Sequence, residues 1–162
     1  MKIILTAAAC IAVLTSAGAG AAEIKRQAAN PNSPIMTSVT IPAGSEIVML
    51  SGVSAPPIDP SKPANSFEAY GDTKTQTIAA FNVAKKTLEG MGYSMSDVVR
   101  VMAYVGGDPK MGGKMDFAGM NEGYKQFFSG NSRTSRTTVQ VAGFGVQYFL
   151  VEFEITAAKA PK

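Results

Sequence analysis

The side chains that could carry chemistry in this sequence are arginines, lysines, carboxylates and hydroxyls. The chain has no His and no Trp, and its single Cys is Cys10. We expect Cys10 to be removed with the N-terminal segment described below. Nucleophiles of the Ser-His-Asp and Cys-His types are therefore excluded, and so are zinc sites built from His and Cys. Catalysis would have to use guanidinium, ammonium, carboxylate or hydroxyl groups with backbone groups and water, and no metal or cofactor is expected.

The overall composition is that of a globular protein without a nucleic-acid surface. Hydrophobic residues make up 46% of the chain and charged residues 17%, which argues against disorder. The net charge of +3 comes from 15 basic and 12 acidic residues scattered along the sequence. A charge this small and this dispersed does not favour binding to a phosphate backbone.

The N-terminus has the form of a signal peptide. Lys2 precedes the apolar run 3–14, and the small residues at 17–22 offer a cleavage site. The apolar run is too short to span a bilayer. We therefore expect residues 1–21 to be removed, which makes the protein periplasmic or secreted, with no membrane attachment after cleavage.

The rest of the chain is predicted to form one domain. Residues 22–33 are polar and contain Asn-Pro-Asn, which indicates a flexible N-terminal segment, and residues 34–162 form the domain. The Gly-rich stretch 107–115 resembles a phosphate loop. It has Asp108 and Met115 where that motif needs Gly and Ser or Thr, so we interpret it as a flexible surface loop.

Hydrophobic periodicity predicts seven elements in the order β-β-α-β-α-β-β. The strands are expected at 35–41, 47–50, 98–105, 137–142 and 148–157, and the first two form a hairpin. The helices begin at Thr73 and Phe117, each after a capping Asp. The apolar stripe of the first helix consists of Ile78, Phe81, Ala84, Leu88 and Met91.

This order leaves one face of the sheet without a helix. The two helices can cover only one face, yet the segments 47–50, 98–99 and 149–151 are apolar at consecutive positions. An uncovered apolar face has to be buried against something. We therefore expect self-association of the chain with closed rotational symmetry.

The C-terminal third carries a resemblance to a known family. The stretch 133–142 with Val-Glu-Phe-Glu at 151–154 resembles the Rid/YjgF family of reactive-intermediate deaminases, and the likeness runs from about Pro34 to Ala158. The order and spacing of short pieces carry the resemblance. They are Ser51-Gly52, Gln76-Thr77, Asn82, Met91-Gly92, Asp97-Val98-Val99, Phe117, Asn121, Tyr124, Phe127-Phe128, Arg136-x-x-Val139 and the final Glu-x-Glu.

The resemblance implies both a fold and a chemistry. The fold is chorismate-mutase-like (YjgF-like) α+β, with a mixed sheet, two helices on one face, and a homotrimer with clefts between subunits. Active members hydrolyse enamine or imine intermediates of small carboxylates to 2-oxo acids and ammonia. The matching positions make Arg136 the carboxylate-binding residue and Glu152 the group that orients or deprotonates water. Ser51 and Asn121 match polar positions that line the family's cleft, and Thr138, a further substrate-binding position, stands where many members have Cys.

Each of these assignments has a structural alternative. Arg136 could form an interface ion pair, Glu152 could pair with a basic residue, and a backbone group could satisfy Asn121. Ser51 suits turn chemistry, and Arg133 is interpreted as solvated. The same cleft also suits a binding module without turnover. The apolar Ile35 favours this alternative, because active members often carry Tyr at that position. A ribonuclease or translation inhibitor, as in older family names, is disfavoured by export and by the low charge.

Overall fold

The computed structural model describes residues 22–162, so the predicted signal peptide lies outside the described residues. In chain order the elements are β1 (Lys25–Gln27), β2 (Ser38–Thr40), β3 (Glu46–Val53), α1 (Phe67–Tyr70), α2 (Thr73–Gly90), β4 (Val98–Val105), α3 (Phe117–Lys125), β5 (Ser135–Gln140) and β6 (Val151–Lys159). Short 3-10 turns lie at Met95–Asp97, Pro109–Met111 and Gly130–Ser132. None of the helices in this part of the chain has the length and apolar character that a membrane crossing requires.

The main sheet has four strands in the order β3-β6-β4-β5. β6 is antiparallel to both β3 and β4, whereas β4 and β5 are parallel. Parallel neighbours need a crossover connection, and α3 lies in the connection between these two strands. This mixed α+β architecture confirms the predicted fold class. The predicted strand at 98–105 has the observed bounds, and the last strand begins at Val151 because residues 146–149 form a turn.

The predicted hairpin between 35–41 and 47–50 is wrong. β2 pairs with β1 in a separate two-stranded sheet, and Met36 bridges Ser135 next to the main sheet. The segment 22–33, predicted to be a flexible lead-in, thus contains a strand. The sequence of this segment does not indicate a strand, because β1 is held in place by hydrogen bonds from the Arg26 guanidinium to backbone carbonyls and not by an apolar face.

Helices α2 and α3 pack on one face of the main sheet and form the core with it. The predicted stripe is confirmed at Phe81, Ala84 and Leu88, which are fully buried, but Met91 follows the end of α2 and is 51% exposed. The sheet contributes side chains from its two central strands, namely Val101, Ala103, Val105, Val151, Phe153 and Ile155. Burial of such side chains is the main favourable contribution to folding.

The other face of the sheet is mixed in character and is not the apolar surface expected from the sequence. Ile47 and Met49 on β3 are 48% and 75% exposed. The alternating positions of the neighbouring strands, however, bring Arg100 and Glu154 to this face, where they line a groove of about 380 Å³ with Met49. The apolar residues that alternate along β4 and β6 belong to the helix-covered core, while the residues between them include Arg100, Glu154 and Met102.

The N-terminus of α2 supports a prediction about pH. Asp72 accepts a hydrogen bond from the Thr75 amide at 2.8 Å, as expected of an N-cap. Hydrogen bonds from the Thr75 hydroxyl and amide hold the pKa of Asp72 below its usual value. A lowered folded-state pKa contributes stability above the unfolded pKa of about 3.9, and that contribution is lost as the pH falls through the folded pKa. Asp72→Ala should therefore cost about 1 kcal/mol at neutral pH and less in acid.

Urea unfolding of the wild-type protein and of Asp72→Ala, at neutral and at strongly acidic pH, measures how the cost of the substitution depends on pH. Glu23→Ala changes an exposed carboxylate outside the helices and serves as the control. An equal cost of Asp72→Ala at the two pH values would contradict the capping role.

Candidate functional site

Arg136 lies on β5 and points to the helix-covered face of the sheet. It is in register with Val101, which is fully buried in the core. Its guanidinium carbon lies 4.4 Å from the ring centre of Tyr124 and 5.9 Å from that of Phe117. One guanidinium nitrogen, Nη1, is 3.8 Å from the Met120 sulfur. The Arg136 side chain thus extends from the edge strand β5 and stacks against α3.

Among residues 22–162, the guanidinium of Arg136 has no acidic partner. The salt bridges within residues 22–162 are Lys74–Glu122 and Lys85–Glu89, and neither involves Arg136. An arginine has five N–H donors, and here the weak sulfur acceptor of Met120 is the hydrogen-bond partner found in the described part of the chain. Burial lowers the pKa of Arg136, yet a guanidinium stays protonated in proteins. A partly buried cation with free donors is suited to binding an anion.

Thr138 adds a second unsatisfied group on the same face. It follows Arg136 by two residues on β5 and is in register with the buried Ala103. Its Oγ1 is buried and lacks a hydrogen-bond partner among the described residues. Buried polar atoms are nearly always paired. The structure therefore brings together a guanidinium with free donors and a hydroxyl without a partner, two of the predicted site residues.

The stacking platform under Arg136 is fixed by its neighbours. Asp116 caps α3 as predicted by accepting a hydrogen bond from the Gly119 amide at 2.8 Å. A Cβ on Gly123 would lie 2.7 Å from Thr77 Cγ2, so glycine is what allows α3 to approach α2 so closely. The position of the Tyr124 ring is set by these helix contacts and by a further polar contact described next.

The Tyr124 hydroxyl is 2.8 Å from Thr134 Oγ1. Burial raises the pKa of Tyr124, so the ring is a neutral phenol across the physiological range. A neutral aromatic face attracts a cation placed over it. Asn121 lies three residues before Tyr124 on α3 and is half-buried, and its spacing from Phe117 and Tyr124 places it on the helix face that Arg136 contacts.

The other two predicted site residues lie on the opposite face of the sheet. Glu152 is in register with Tyr104, whose position on β4 has the parity opposite to that of Val101. Its Oε2 accepts a hydrogen bond from the Ser54 hydroxyl at 3.1 Å, and a Cβ on Gly52 would overlap its carboxylate. Within one chain, the sheet therefore separates Glu152 from Arg136.

Ser51 is exposed and lines the groove on the open face. The bulge between Leu50 and Val53 interrupts the β3 ladder at this point. Ser51 thus belongs with Glu152 to the open side of the sheet and does not approach Arg136 from within the same chain. A second groove, of about 400 Å³, lies between α1 and the turn at 108–110 and contains none of the predicted site residues.

The interpretation of Arg133 as a solvated residue is wrong. Arg133 is not solvated, because Nη1 donates to the carbonyls of Pro31 and Ser33 at 3.0 and 2.7 Å and Nε donates to that of Gly130 at 2.8 Å. The loop 106–113 contains a 3-10 turn, and Asp108, 7% exposed, accepts a hydrogen bond from the Lys110 amide. Contacts to backbone carbonyls and amides leave no pattern in the sequence.

Comparison with known proteins defines the family to which this fold and site belong. The sequence model of the family described as Endoribonuclease L-PSP matches residues 35–159. The chain therefore belongs to this family, also called the YjgF/Rid family.

Individual relatives agree with this assignment. A RutC family protein of Pyrococcus horikoshii is 36% identical over 103 residues, which cover 64% of this chain and 73% of the relative. The Rid family protein YyfB of Yersinia pestis has the same fold with a TM-score of 0.60, 23% identity, and coverage of 78% of this chain and 87% of YyfB. Escherichia coli TdcF, solved with bound serine, is 27% identical with a TM-score of 0.54 and coverage of 74% and 85%.

Proposed function

We propose that the protein is a deaminase that hydrolyses enamine or imine intermediates of small amino-acid-derived carboxylates to 2-oxo acids and ammonia. The observation that carries this proposal is the partly buried guanidinium of Arg136. In the part of the chain that the structure describes, it has free donors and no acidic partner, and the hydroxyl of Thr138 on the same strand face is unpaired. Both groups suit a carboxylate, which accepts parallel hydrogen bonds from a guanidinium. The serine bound to the relative TdcF is a small molecule with such a carboxylate.

In the proposed reaction, Arg136 holds the substrate carboxylate and thereby fixes the adjacent imine carbon. Water adds to the C=N carbon, and the imine nitrogen takes up a proton. The resulting carbinolamine loses ammonia and leaves the 2-oxo acid. Imine hydrolysis needs no strong nucleophile, so that positioning can supply much of the acceleration. This agrees with a chain that contains no His.

Glu152 is the proposed group that orients or deprotonates the water. Because the sheet separates Glu152 from Arg136 within one chain, a second copy has to supply the carboxylate. The proposed assembly is therefore the homotrimer implied by the family resemblance, with each cleft shared between two copies. The exposed Ile47 and Met49 on the open sheet face favour contact between copies. We also propose that the chain is exported by its signal peptide and acts in the periplasm or outside the cell.

A binding module that holds small carboxylates without turnover is the alternative. The separation of Glu152 from Arg136 favours this alternative. Each chain contains the carboxylate-binding guanidinium of Arg136, whereas the Glu152 carboxylate of the same chain is not adjacent to it. The alternative predicts tight binding of 2-oxobutanoate without acceleration of imine hydrolysis.

Ammonia release from freshly generated 2-iminopropanoate separates these functions. An amino-acid oxidase acting on alanine generates the imine, and its spontaneous hydrolysis is subtracted. We expect the protein to accelerate ammonia release and Arg136→Ala to remove most of that acceleration. Equal rates for the two proteins would contradict the deaminase proposal. Binding of 2-oxobutanoate that survives Arg136→Ala in calorimetry would contradict both the deaminase and the binding module.

A further inference from the structure

We propose that Arg26 is a positioning residue for Arg136, because it joins the points at which β4 and β5 enter the sheet. The inference rests on the proposed function, since it assigns to Arg26 the task of holding the strand that carries the carboxylate-binding group. Arg26 lies on β1, in the segment before residue 35, where the match to the family begins. The residue therefore belongs to a part of this chain outside the matched family domain.

The two ends of the Arg26 guanidinium contact two different strand entries. Nη1 donates to the carbonyl of Arg133 at 2.8 Å, two residues before β5 begins. Nη2 donates to the carbonyl of Ser96 at 2.9 Å, two residues before β4 begins. β4 and β5 are the parallel pair whose register places Arg136 opposite Val101. One planar group thus bridges the starts of both strands, a task that suits the rigid fork of arginine.

A second arginine completes the connection in the opposite direction. Arg133 donates to the carbonyls of Pro31 and Ser33, which lie between β1 and β2. Arg26 reaches from the N-terminal segment to the entry of β5, and Arg133 reaches from the entry of β5 back to the N-terminal segment. We call this pair, Arg26 and Arg133, the arginine clamp. Each member satisfies backbone carbonyls that neither a helix nor a sheet would otherwise pair.

The arginine clamp lies next to Thr134, which contacts the aromatic platform of the candidate site. Thr134, buried between Arg133 and β5, accepts a hydrogen bond at its carbonyl from the Met36 amide at 2.9 Å. Its hydroxyl contacts the hydroxyl of Tyr124, the ring on which Arg136 stacks. Displacement of residues 133–134 would therefore move both the strand of Arg136 and its aromatic platform. The clamp links the N-terminal segment to the direction in which the guanidinium of Arg136 points.

The charge state of Arg26 is compatible with this role. Burial lowers the pKa of Arg26, and the nearby carboxylate of Asp97 opposes that shift. A guanidinium remains charged under these conditions, so both hydrogen bonds are charge-assisted. Lysine would keep the charge but lacks the planar fork, and its single ammonium group does not reproduce the two-ended contact.

The test compares Arg26→Ala and Arg26→Lys with the wild-type chain. Calorimetry measures the Kd for 2-oxobutanoate, the imine assay gives KM and kcat, and amide hydrogen exchange is followed at β5 in the ligand-free protein. We expect Arg26→Ala to raise Kd and KM about tenfold, as when about one molecule in ten holds Arg136 in the binding position. We expect kcat to stay within about twofold, because bound substrate selects the molecules in which Arg136 is correctly placed. Exchange at 135–140 should become faster, and Arg26→Lys should lie between the two proteins.

Two controls separate positioning from general destabilisation. Lys25→Ala changes the exposed neighbour on the same strand and should leave Kd and exchange unchanged. Leu88→Val lowers stability in the core away from the clamp and should lower the melting temperature without raising Kd. Unchanged β5 exchange in Arg26→Ala would overturn the inference whatever the ligand does, and so would a Kd rise in Leu88→Val equal to that in Arg26→Ala. A wild-type protein that binds no 2-oxobutanoate would instead overturn the proposed function.

Discussion

Replacing Arg136 with Lys is expected to weaken binding of 2-oxobutanoate about 100-fold, although the positive charge is kept. The expected loss has two sources. An ammonium group cannot make the two parallel hydrogen bonds that a guanidinium makes to a carboxylate. The flat guanidinium also stacks on Tyr124, with its carbon 4.4 Å from the ring centre, and lysine has no planar group to occupy that position.

The environment of Arg136 increases this difference. The side chain is half-buried and its pKa is lowered by burial, so its hydrogen bonds to a bound anion face little competition from water. Hydrogen bonds to charged groups contribute about 1.5–3 kcal/mol each, and a factor of ten in affinity corresponds to about 1.4 kcal/mol. The loss of one such bond together with the stacking accounts for the expected factor.

Calorimetric titration with 2-oxobutanoate measures the effect. Lys86→Arg is the control, because it makes the reverse exchange at an exposed position of α2. That variant should bind the ligand as the wild-type chain does. An Arg136→Lys protein with affinity close to wild type would show that charge alone holds the carboxylate and that the fork geometry is irrelevant.

Phe81→Ala is expected to lower the free energy of unfolding by about 3–5 kcal/mol, the cost of emptying a large core position. Phe81 on α2 is fully buried and stacks on Phe153 of β6 with ring centres 4.3 Å apart. Its ring also lies within aromatic contact distance of three side chains of the 124–128 segment, at 5.2–5.9 Å, namely Tyr124, Phe127 and Phe128. The substitution therefore removes contacts between the sheet and both helices at once.

Urea unfolding monitored by circular dichroism gives the free-energy change. Val83→Ala, on the same helix but 38% exposed, is the control and should change stability by no more than about 0.5–1 kcal/mol. A folded domain is stable by only about 5–15 kcal/mol, so Phe81→Ala should be close to its unfolding transition under mild conditions. A loss equal to that of Val83→Ala would show that the aromatic cluster does not act as the centre of the core.

The elements predicted correctly from the sequence are those that local patterns determine. The capping residues Asp72 and Asp116 precede observed helices, and both caps make the expected hydrogen bonds. The stripe through Phe81, Ala84 and Leu88 faces the core because every third or fourth residue of a helix lies on one side. β4 agrees in its bounds because a segment rich in Val lies between turn signals on both sides.

The features that escaped prediction depend on partners distant in sequence. β2 has an alternating pattern that fits several neighbours, and the pairing with β1 is determined by contacts more than 60 residues away in the chain. Arg26 and Arg133 bind backbone carbonyls. Every residue carries a carbonyl, so no side-chain pattern distinguishes the acceptor. The residue types of the arginine clamp could therefore be seen in the sequence, but its partners could not.

The candidate site was predicted in part for the same reason. Arg136 and Thr138 share a face because they are two residues apart on one strand, which sequence parity alone predicts. Whether Glu152 on another strand shares that face depends on the register between strands. That register pairs Glu152 with Tyr104 and Arg136 with Val101, which are three positions apart on β4. An odd separation on a strand places two side chains on opposite sides of the sheet.

Because Arg136 and Glu152 lie on opposite faces of the sheet, each subunit takes part in two different clefts under the proposed function. In a ring of identical copies, a chain would lend its guanidinium to one cleft and its carboxylate to the next. A ring that contained one Arg136 variant and one Glu152 variant would then lose either one cleft or two, depending on the order of the copies around the axis. Activity would therefore be a property of the assembled ring, and a substitution in one copy would inactivate a cleft that it shares with a neighbouring copy.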